Sequence, residues 1–263
     1  MDSSQKVQVM EYGGSELVSR SIAAIRETSL HIFVNGERLV NLAFTGKHPE
    51  YLTAGFLLSC GIIETAKDIT SLEITELLTH IEARVQAPSS ACLASVPTRT
   101  SGLGWNVPIA GHRAPAFPSP GRARWPLASL LRLAEELEAR CALHRETRGC
   151  HNAALCTAGG IVLFREDIGR HNAIDMLAGQ CLLDGLDPSG MGLVCTGRVA
   201  LEIVQKVVRA KIPLLASFAV ATSAAVASAR TAGLCLVGNM RANKLWIYHN
   251  NGLLDAATQS NTD

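Results

Sequence analysis

The second half of the chain alternates continuous apolar runs with segments of helical periodicity, and this alternation constrains the fold more than any other feature. The apolar runs predict strands and the intervening segments predict helices. Strands are expected at residues 191–195, 213–218, 234–238 and 244–249, and helices at 172–183, 199–210 and 223–231. Apolar strands separated by helices indicate a buried, largely parallel sheet covered on both faces, which makes three layers. The expected fold class is therefore α/β.

The first 87 residues predict a smaller α+β unit. Strands are expected at residues 22–25, 30–34, 37–44, 69–74 and 81–86. Asn35 and Gly36 suit the two positive-φ positions of a tight hairpin turn. Pro49 favours the first turn of a helix that ends near Gly61, because proline is preferred just inside a helix start and glycine just beyond its end.

A proline-rich segment separates these two units. Seven of the ten prolines fall between Pro88 and Pro126, among turn residues with little apolar periodicity. We therefore expect a mobile, exposed connection there. This divides the chain into residues 1–87, 88–125 and 126–263, the last of which opens with an amphipathic helix at Pro126 and a hairpin around Gly159 and Gly160.

The charge balance argues against two classes of partner. The chain has 24 Lys and Arg against 23 Asp and Glu, for a net charge of +1 and an isoelectric point near 7.6. Such a chain has no basic field to drive binding to nucleic acid or to a membrane surface. It also has no apolar run approaching 18 residues and no secretion signal at its N-terminus. We expect a cytoplasmic protein.

The eight cysteines have no paired spacing, and most of them lie in apolar runs. They are interpreted as reduced core thiols. A zinc site of the nucleobase-deaminase type requires His-x-Glu and Cys-x-x-Cys, but Asn152 and Ala153 follow His151 and no Cys-x-x-Cys occurs. We therefore expect no metal site.

Polar residues follow three of the predicted strands, at the edge where ligands of open α/β sheets bind. The segments are Thr196-Gly197-Arg198, Ala221-Thr222-Ser223 and Asn239-Met240-Arg241-Ala242-Asn243-Lys244. Backbone N–H groups, hydroxyls and cations at one edge suit a phosphate or pyrophosphate. The alternative is that they are ordinary helix caps and solvated loop charges.

A dense polar string lies between a predicted strand and a predicted helix, at residues 165–172. It contains Asp167, Arg170 and His171, and apolar residues flank it closely. Glu166 and Asp167 are candidates to orient Arg170 or His171 toward an anion, or to cap the following helix. The remaining interpretation is a solvated loop.

The same string resembles a known signature. Residues 164–173, Phe-Arg-Glu-Asp-Ile-Gly-Arg-His-Asn-Ala, resemble the signature of the formate dehydrogenase accessory sulfurtransferases, the FdhD/NarQ family. Ordered matches over about residues 34–248 support the resemblance: Val34-Asn35-Gly36, residues 54–58 and 61–63, Thr147-x-Gly149-x-His151-x-Ala153-Ala154-Leu155, Thr196-Gly197-Arg198 with Glu202 and Gln205-Lys206, Thr222-Ser223, and Gly238-x-x-Arg241.

The resemblance implies a fold and an activity. It implies a cytidine-deaminase-like C-terminal domain without zinc, and sulfur accepted as a persulfide from a cysteine desulfurase. The sulfur then passes to the molybdenum bis(molybdopterin guanine dinucleotide) cofactor, which enters the formate dehydrogenase catalytic subunit. The resemblance places cofactor contact at residues 239–244, with GDP as an expected mimic. A second copy of the chain is a further candidate partner.

The sequence departs from this family in one important place. The family carries sulfur on a Cys-x-x-Cys-type loop between its two domains, whereas residues 99–105 here contain no cysteine. A persulfide needs a thiolate nucleophile, and Cys92 is the nearby candidate. Two hypotheses follow: a sulfurtransferase with a relocated thiol, or a protein that binds and delivers the cofactor without transferring sulfur.

Overall fold

A computed structural model describes residues 3–88, 117, 125–241 and 243–255 of the chain. The N-terminal elements are β1 (Ser4–Tyr12), β2 (Leu17–Ile25), β3 (Thr28–Val34), β4 (Glu37–Phe44), α1 (Pro49–Cys60), β5 (Ser71–Glu76) and β6 (Ile81–Gln86). The C-terminal elements are β7 (Trp125–Pro126), α2 (Leu127–Arg140), α3 (Ala142–Thr147), β8 (His151–Thr157), β9 (Gly160–Asp167), α4 (Arg170–Asp184), β10 (Gly192–Cys195), α5 (Leu201–Arg209), β11 (Leu214–Ser217), α6 (Ser223–Ala232), β12 (Cys235–Arg241), β13 (Lys244–His249) and β14 (Leu254–Asp255).

The N-terminal unit has the predicted α+β composition. Its four-stranded sheet has the order β4-β3-β6-β5, in which only β3 and β6 are parallel. The turn between β3 and β4 has φ of 52° at Asn35 and 86° at Gly36, which confirms the predicted hairpin. Helix α1 starts at Pro49 and ends against Gly61 at φ 72°, as expected. Strand β1, which pairs with β2 in a separate two-stranded sheet, was not predicted.

The large sheet is mixed rather than mostly parallel. Its order is β13-β12-β11-β10-β8-β9, and only the β10–β11 and β11–β12 pairs are parallel. The expectation of a largely parallel sheet is wrong because β8–β9 and β12–β13 are hairpins, whose short connections permit only antiparallel pairing. The first of these hairpins also pairs antiparallel with β10.

Helices cover both faces of this sheet. Helices α4, α5 and α6 contribute to the core on one face, with Ala153, Leu193 and Leu215 of the sheet. Helix α2 contributes to the core on the other face, with Ala154 and Val194. The predicted helices are therefore confirmed, with boundaries that differ by one or two residues.

Helices α1 and α4 cross almost backbone to backbone. A Cβ added to Gly55 would lie 1.8 Å from the carbonyl oxygen of Asp175, and one added to Gly179 would lie 1.9 Å from that of Tyr51. Only glycine permits this approach. Through it the core of the N-terminal unit continues into that of the large sheet: Leu30 and Phe56 belong to the same buried cluster as Ile174 and Val204.

The predicted connection at residues 88–125 lies almost entirely outside the described residues. The division of the chain into 1–87, 88–125 and 126–263 therefore stays a prediction. Within the described ranges, no helix combines the length and the apolar character that crossing a membrane requires.

Candidate functional site

The three segments expected at one edge of the large sheet do meet there. The Ser217 hydroxyl donates to the Gly197 carbonyl at 2.7 Å. The Thr222 backbone N–H donates to the Val199 carbonyl at 2.9 Å, and that of Asn239 donates to the Ala219 carbonyl at 2.9 Å. Hydrogen bonds therefore join the loops that follow β10, β11 and β12 into one surface.

The loop after β10 is a bend, not a helix start. Helix α5 begins at Leu201, two residues beyond the predicted start at residue 199. The Thr196 hydroxyl accepts a hydrogen bond from the Asn152 backbone N–H at 3.0 Å and so ties this loop to β8. Gly197 is buried, whereas Arg198 is exposed to solvent.

Thr222 caps α6 as predicted. Its side chain accepts a hydrogen bond from the Ala225 backbone N–H at 3.3 Å. Ser223 follows as the first helical residue and is exposed. The hydroxyl of Thr222 therefore has a structural partner, while that of Ser223 faces solvent.

The β12–β13 turn carries the exposed cations. Arg241 and Lys244 are both exposed, as is Asn243, while Ala242 lies outside the described residues. One Arg241 nitrogen donates to the Phe218 carbonyl at 3.0 Å, which holds this side chain over the loop after β11. The Met240 side chain is wholly buried in the core beneath α2, so only its backbone can meet a ligand.

Of the two roles predicted for Asp167, its hydrogen bonds agree with the contact to the start of the following helix. Its fully buried carboxylate accepts hydrogen bonds from the Thr45 backbone and hydroxyl at 2.8 and 3.0 Å, from the Gly169 N–H at 2.9 Å and from Asn172 at 2.7 Å. Burial raises the pKa of Asp167, and these hydrogen bonds oppose the rise. Among the described residues these hydrogen bonds involve Thr45, Gly169 and Asn172, and not the side chains of Arg170 or His171. Asp167 joins the end of β4 to the start of α4.

Arg170 and His171 form the first turn of α4, beside the loop after β10. A Cβ on Gly197 would lie 2.8 Å from Cδ of Arg170, so the arginine side chain lies directly on this glycine. His171 is 4% exposed. Neither of its ring nitrogens has a hydrogen-bond partner in the described part of the chain. Burial, together with smaller contributions from Lys206, Arg170 and His151, lowers the pKa of His171 from its ordinary 6.5 to about 3.

Sequence reasoning missed the ion pair beneath this turn. Lys206 of α5 donates to both carboxylate oxygens of Asp175 at 2.8 and 2.6 Å, and the Ser59 hydroxyl donates to the same carboxylate at 2.5 Å. Asp175 is one helical turn beyond His171, so the two side chains share a face of α4. The available signal was an acidic side chain at position 175 within an otherwise apolar stretch of that helix.

The described cysteines are core thiols, as predicted. Cys60 is half-buried and the other six are buried: Cys141, Cys150, Cys156, Cys181, Cys195 and Cys235. Burial raises the pKa of each thiol to about 11 or 12, which leaves very little thiolate at neutral pH. Cys92 lies outside the described residues. Across residues 3–88, 117, 125–241 and 243–255, no three His, Cys, Asp or Glu side chains cluster as metal ligands would.

A groove of about 330 Å³ lies away from this edge, near the ends of α1, α4 and α5. Its walls include Leu58, Cys181, Leu186, Arg209 and Lys211. None of the predicted site residues that the structure describes lines it. The groove and the candidate site are therefore separate places.

Comparison with known proteins agrees with this architecture. The sequence model of the FdhD/NarQ family matches residues 25–254. The sulfur carrier protein FdhD of Listeria monocytogenes is 29% identical over 257 residues, covering 94% of this chain and 96% of the relative. The protein of the same name from Wolinella succinogenes is 31% identical, covering 95% and 89%.

A solved structure shares the fold. It is a crystal structure from Desulfotalea psychrophila described as a formate dehydrogenase accessory protein, with a TM-score of 0.76 and 22% identity. The alignment covers 95% of this chain and 98% of that one. With a family match spanning nearly the whole described structure, the chain belongs to the FdhD/NarQ family.

Proposed function

We propose that this protein is a sulfur carrier for formate dehydrogenase maturation, and that it binds the molybdenum bis(molybdopterin guanine dinucleotide) cofactor at the edge of its large sheet. The observation that carries the proposal is the family match over residues 25–254, together with relatives named sulfur carrier protein FdhD along almost their whole length.

The chemistry of the sheet edge supports a ligand with phosphate groups. Arg198, Arg241 and Lys244 supply exposed cations, and Ser223 supplies an exposed hydroxyl at the start of α6. An arginine fork binds two phosphate oxygens at once, while a lysine acts as a point charge. A guanine dinucleotide contains the pyrophosphate that such a surface suits.

The buried thiols point to Cys92 as the sulfur carrier. In the proposed step, the carrier thiolate attacks the outer sulfur of a persulfide on the cysteine desulfurase. A new S–S bond forms on the carrier, the S–S bond of the donor breaks, and the donor cysteine leaves as a thiolate. The described thiols are poor candidates for this attack because burial raises their pKa values to about 11 or 12.

The alternative is a protein that binds and delivers the cofactor without carrying sulfur. The absence of cysteine from residues 99–105 favours it, since the family's carrier loop is expected there. The two candidates share the ligand edge and differ only in whether a thiol of this chain takes up sulfur.

Intact mass spectrometry separates the two candidates. The full chain is incubated with a cysteine desulfurase and cysteine, and the spectrum is read for the gain of one sulfur atom. The sulfur-carrier proposal expects this gain in the wild type and in Cys235→Ala, whose thiol is buried, but not in Cys92→Ala. Labelling that survives Cys92→Ala excludes Cys92, and an unlabelled wild type favours the delivery protein.

Calorimetric titration with GDP tests the ligand edge. Arg241→Ala should weaken GDP binding by roughly ten- to a hundredfold, because a charge-assisted hydrogen bond contributes about 1.5–3 kcal/mol. Arg132→Ala is the control, since Arg132 contacts the backbone of the β8–β9 turn instead. Equal GDP affinity in the wild type and Arg241→Ala would place the site elsewhere.

Three further properties belong to the same proposal. We infer a cytoplasmic location, an encounter with the formate dehydrogenase catalytic subunit as recipient, and a cytidine-deaminase-like topology for the C-terminal domain. The mixed six-stranded sheet with helices on both faces is compatible with that topology.

A further inference from the structure

At the start of helix α4, several polar groups have no hydrogen-bond partner among the described residues. This 15-residue helix has Gly169 at its N-cap position, and no side chain caps it. The first N–H groups of a helix have no partner within the helix, and they carry its partial positive charge. The Asp167 carboxylate accepts the N–H of the N-cap residue Gly169, whereas the N–H groups of the first helical turn have no side-chain partner among the described residues and can bind an anion.

His171 gives independent evidence of a missing partner. Its imidazole is 4% exposed, and both ring nitrogens lack a hydrogen-bond partner among the described residues. The Nε of Arg170, on the preceding residue, is also buried and unpaired there. Buried polar groups in folded proteins are almost always hydrogen-bonded, so three unpaired nitrogens on adjacent side chains indicate a site that a ligand completes.

The charges around this turn favour a negatively charged ligand. Lys206, Arg170 and His151 each contribute to the lowered pKa of His171. Asp175 neutralises Lys206 through its ion pair, and Asp167 is occupied by Thr45, Gly169 and Asn172. Arg170 forms no ion pair among the described residues, so its guanidinium is the cation at this turn that can pair with a phosphate.

The position of the turn relates it to the proposed ligand edge. Arg170 lies on Gly197, which follows β10, whereas Arg241 ends β12, two strands away. Neighbouring strands lie about 4.8 Å apart, so β10, whose following residue Gly197 contacts Arg170, and β12, which ends at Arg241, are separated by roughly 10 Å. A ligand that contacts both Arg170 and Arg241 must be extended, and it must carry negative charge at both ends of that span.

We propose that the first turn of α4, with Arg170 and His171, is a phosphate subsite that takes a pyrophosphate group. The inference rests on the proposed function, because the natural ligand that would bring this pyrophosphate is the dinucleotide proposed to contact the β12–β13 turn. The phosphate oxygens accept hydrogen bonds from Arg170, from one nitrogen of His171 and from the free N–H groups of the helix start. Inorganic pyrophosphate presents the same chemistry without the nucleoside.

Nuclear magnetic resonance of the histidine side chains tests this subsite. The imidazole signals of His171 are assigned by their loss in His171→Gln, and inorganic pyrophosphate is titrated into the full chain. The His171 signals should shift and saturate. In Arg170→Gln the half-saturating concentration should rise by roughly ten- to a hundredfold, while Arg132→Gln should match the wild type. Unchanged His171 signals at saturating pyrophosphate would overturn the proposal.

A second variant moves the arginine without removing any charge. A Cβ at Gly197 would lie 2.8 Å from Cδ and 2.9 Å from Cβ of Arg170, so Gly197→Ala must displace that side chain. It should also weaken pyrophosphate binding at least tenfold. If Gly197→Ala and Arg170→Gln both fold normally and both bind pyrophosphate with wild-type affinity, the proposed subsite is wrong.

Parallel titrations with GDP distinguish this inference from the proposed function. If GDP binds the wild type but pyrophosphate leaves His171 unchanged, the subsite is wrong and the ligand edge stands. If pyrophosphate shifts His171 but GDP affinity is the same in the wild type and Arg241→Ala, the subsite stands and the proposed nucleotide contact at the β12–β13 turn fails.

Discussion

Asp167 and His171 are separated by three residues and both are buried, but their polar atoms have opposite surroundings. The carboxylate of Asp167 accepts four hydrogen bonds, two of them from Thr45 in the N-terminal unit. The ring of His171 has none in the described structure. The hydrogen bonds of Asp167 therefore stabilise the folded chain. The buried ring of His171 has no such bonds, and the folded chain accommodates it only in its neutral form.

This burial makes the stability of the protein sensitive to acid. The pKa of His171 falls from the ordinary 6.5 to about 3 in the folded state. Below pH 6.5 the unfolded chain takes up a proton that the folded chain refuses, so stability falls with pH. At pH 5 this costs about 2 kcal/mol. The free energy of unfolding of His171→Gln should therefore drop about 2 kcal/mol less than that of the wild type between pH 7 and pH 5.

Urea unfolding at the two pH values measures this difference. Ser19→Ala is the control, because Ser19 is exposed on β2 and the change alters no titratable group. If His171→Gln and the wild type lose the same stability on acidification, the buried imidazole is not the acid-sensitive group.

At this scale the sequence could identify the polar string but not its pairing. Residues 165–172 stand out in the sequence because they form a charged segment between two apolar elements. The partner that decides the role of Asp167 is Thr45, 122 residues away in the chain. Local spacing contains no information on such a contact, so the sequence predicted a role for Asp167 toward an anion or at the helix start, but not its link to Thr45.

The burial of helix α4 depends on its close packing against helix α1. Their crossing brings the backbones together at Gly55 and Gly179, where any side chain would overlap a carbonyl oxygen. Packing this close places most of α4 in the interior, and ten of its fifteen residues are buried. Proline and glycine at its ends predicted α1, and helical periodicity predicted α4, but an element buried on nearly every side lacks the polar face that would reveal its depth.

Adding one methyl group at the crossing should separate the helices. Gly55→Ala places Cβ against the backbone of Asp175, which cannot move as a flexible side chain would. We expect a loss of about 3 kcal/mol or more in the free energy of unfolding, measured from urea midpoints. Gly190→Ala is the matched control, because nothing lies within 4 Å of its added Cβ. Equal midpoints for the two variants would contradict the close crossing.

Strand direction was the harder part of the element-scale prediction. The apolar runs located β10, β11 and β12 to within a few residues, and those three are parallel. The same apolar pattern occurs in β8, which is buried on both faces but runs antiparallel to β10. Direction follows from connection length, and the short turns after β8 and β12 decide it.

The molecule as a whole has a core that crosses the predicted division of the chain. One buried cluster contains residues of β3, β4 and β6 together with residues of α4, α5 and β10. Unfolding of either part exposes apolar surface of the other. We therefore expect one cooperative transition, in which both parts lose structure at the same urea concentration.

Hydrogen exchange at increasing urea concentrations tests this expectation. Peptides from β3 and β6 should lose protection together with peptides from β10 and β11. The β1–β2 hairpin serves as an internal contrast, because an isolated two-stranded ribbon is marginally stable and should exchange earlier. Loss of protection in β3 and β6 well before β10 and β11 would show that the two parts unfold independently.

The crossing of α1 and α4 also sets an order of events during synthesis on the ribosome. Gly179 is polymerised 124 residues after Gly55, which takes roughly 6–25 s at elongation rates of about 5–20 residues per second. Throughout that interval the nascent α1 presents Phe56 and Leu57, later wholly covered, without the helix that covers them. The emerging chain therefore exposes apolar surface for that interval, and its N-terminal unit completes its packing only when most of the polypeptide has been made.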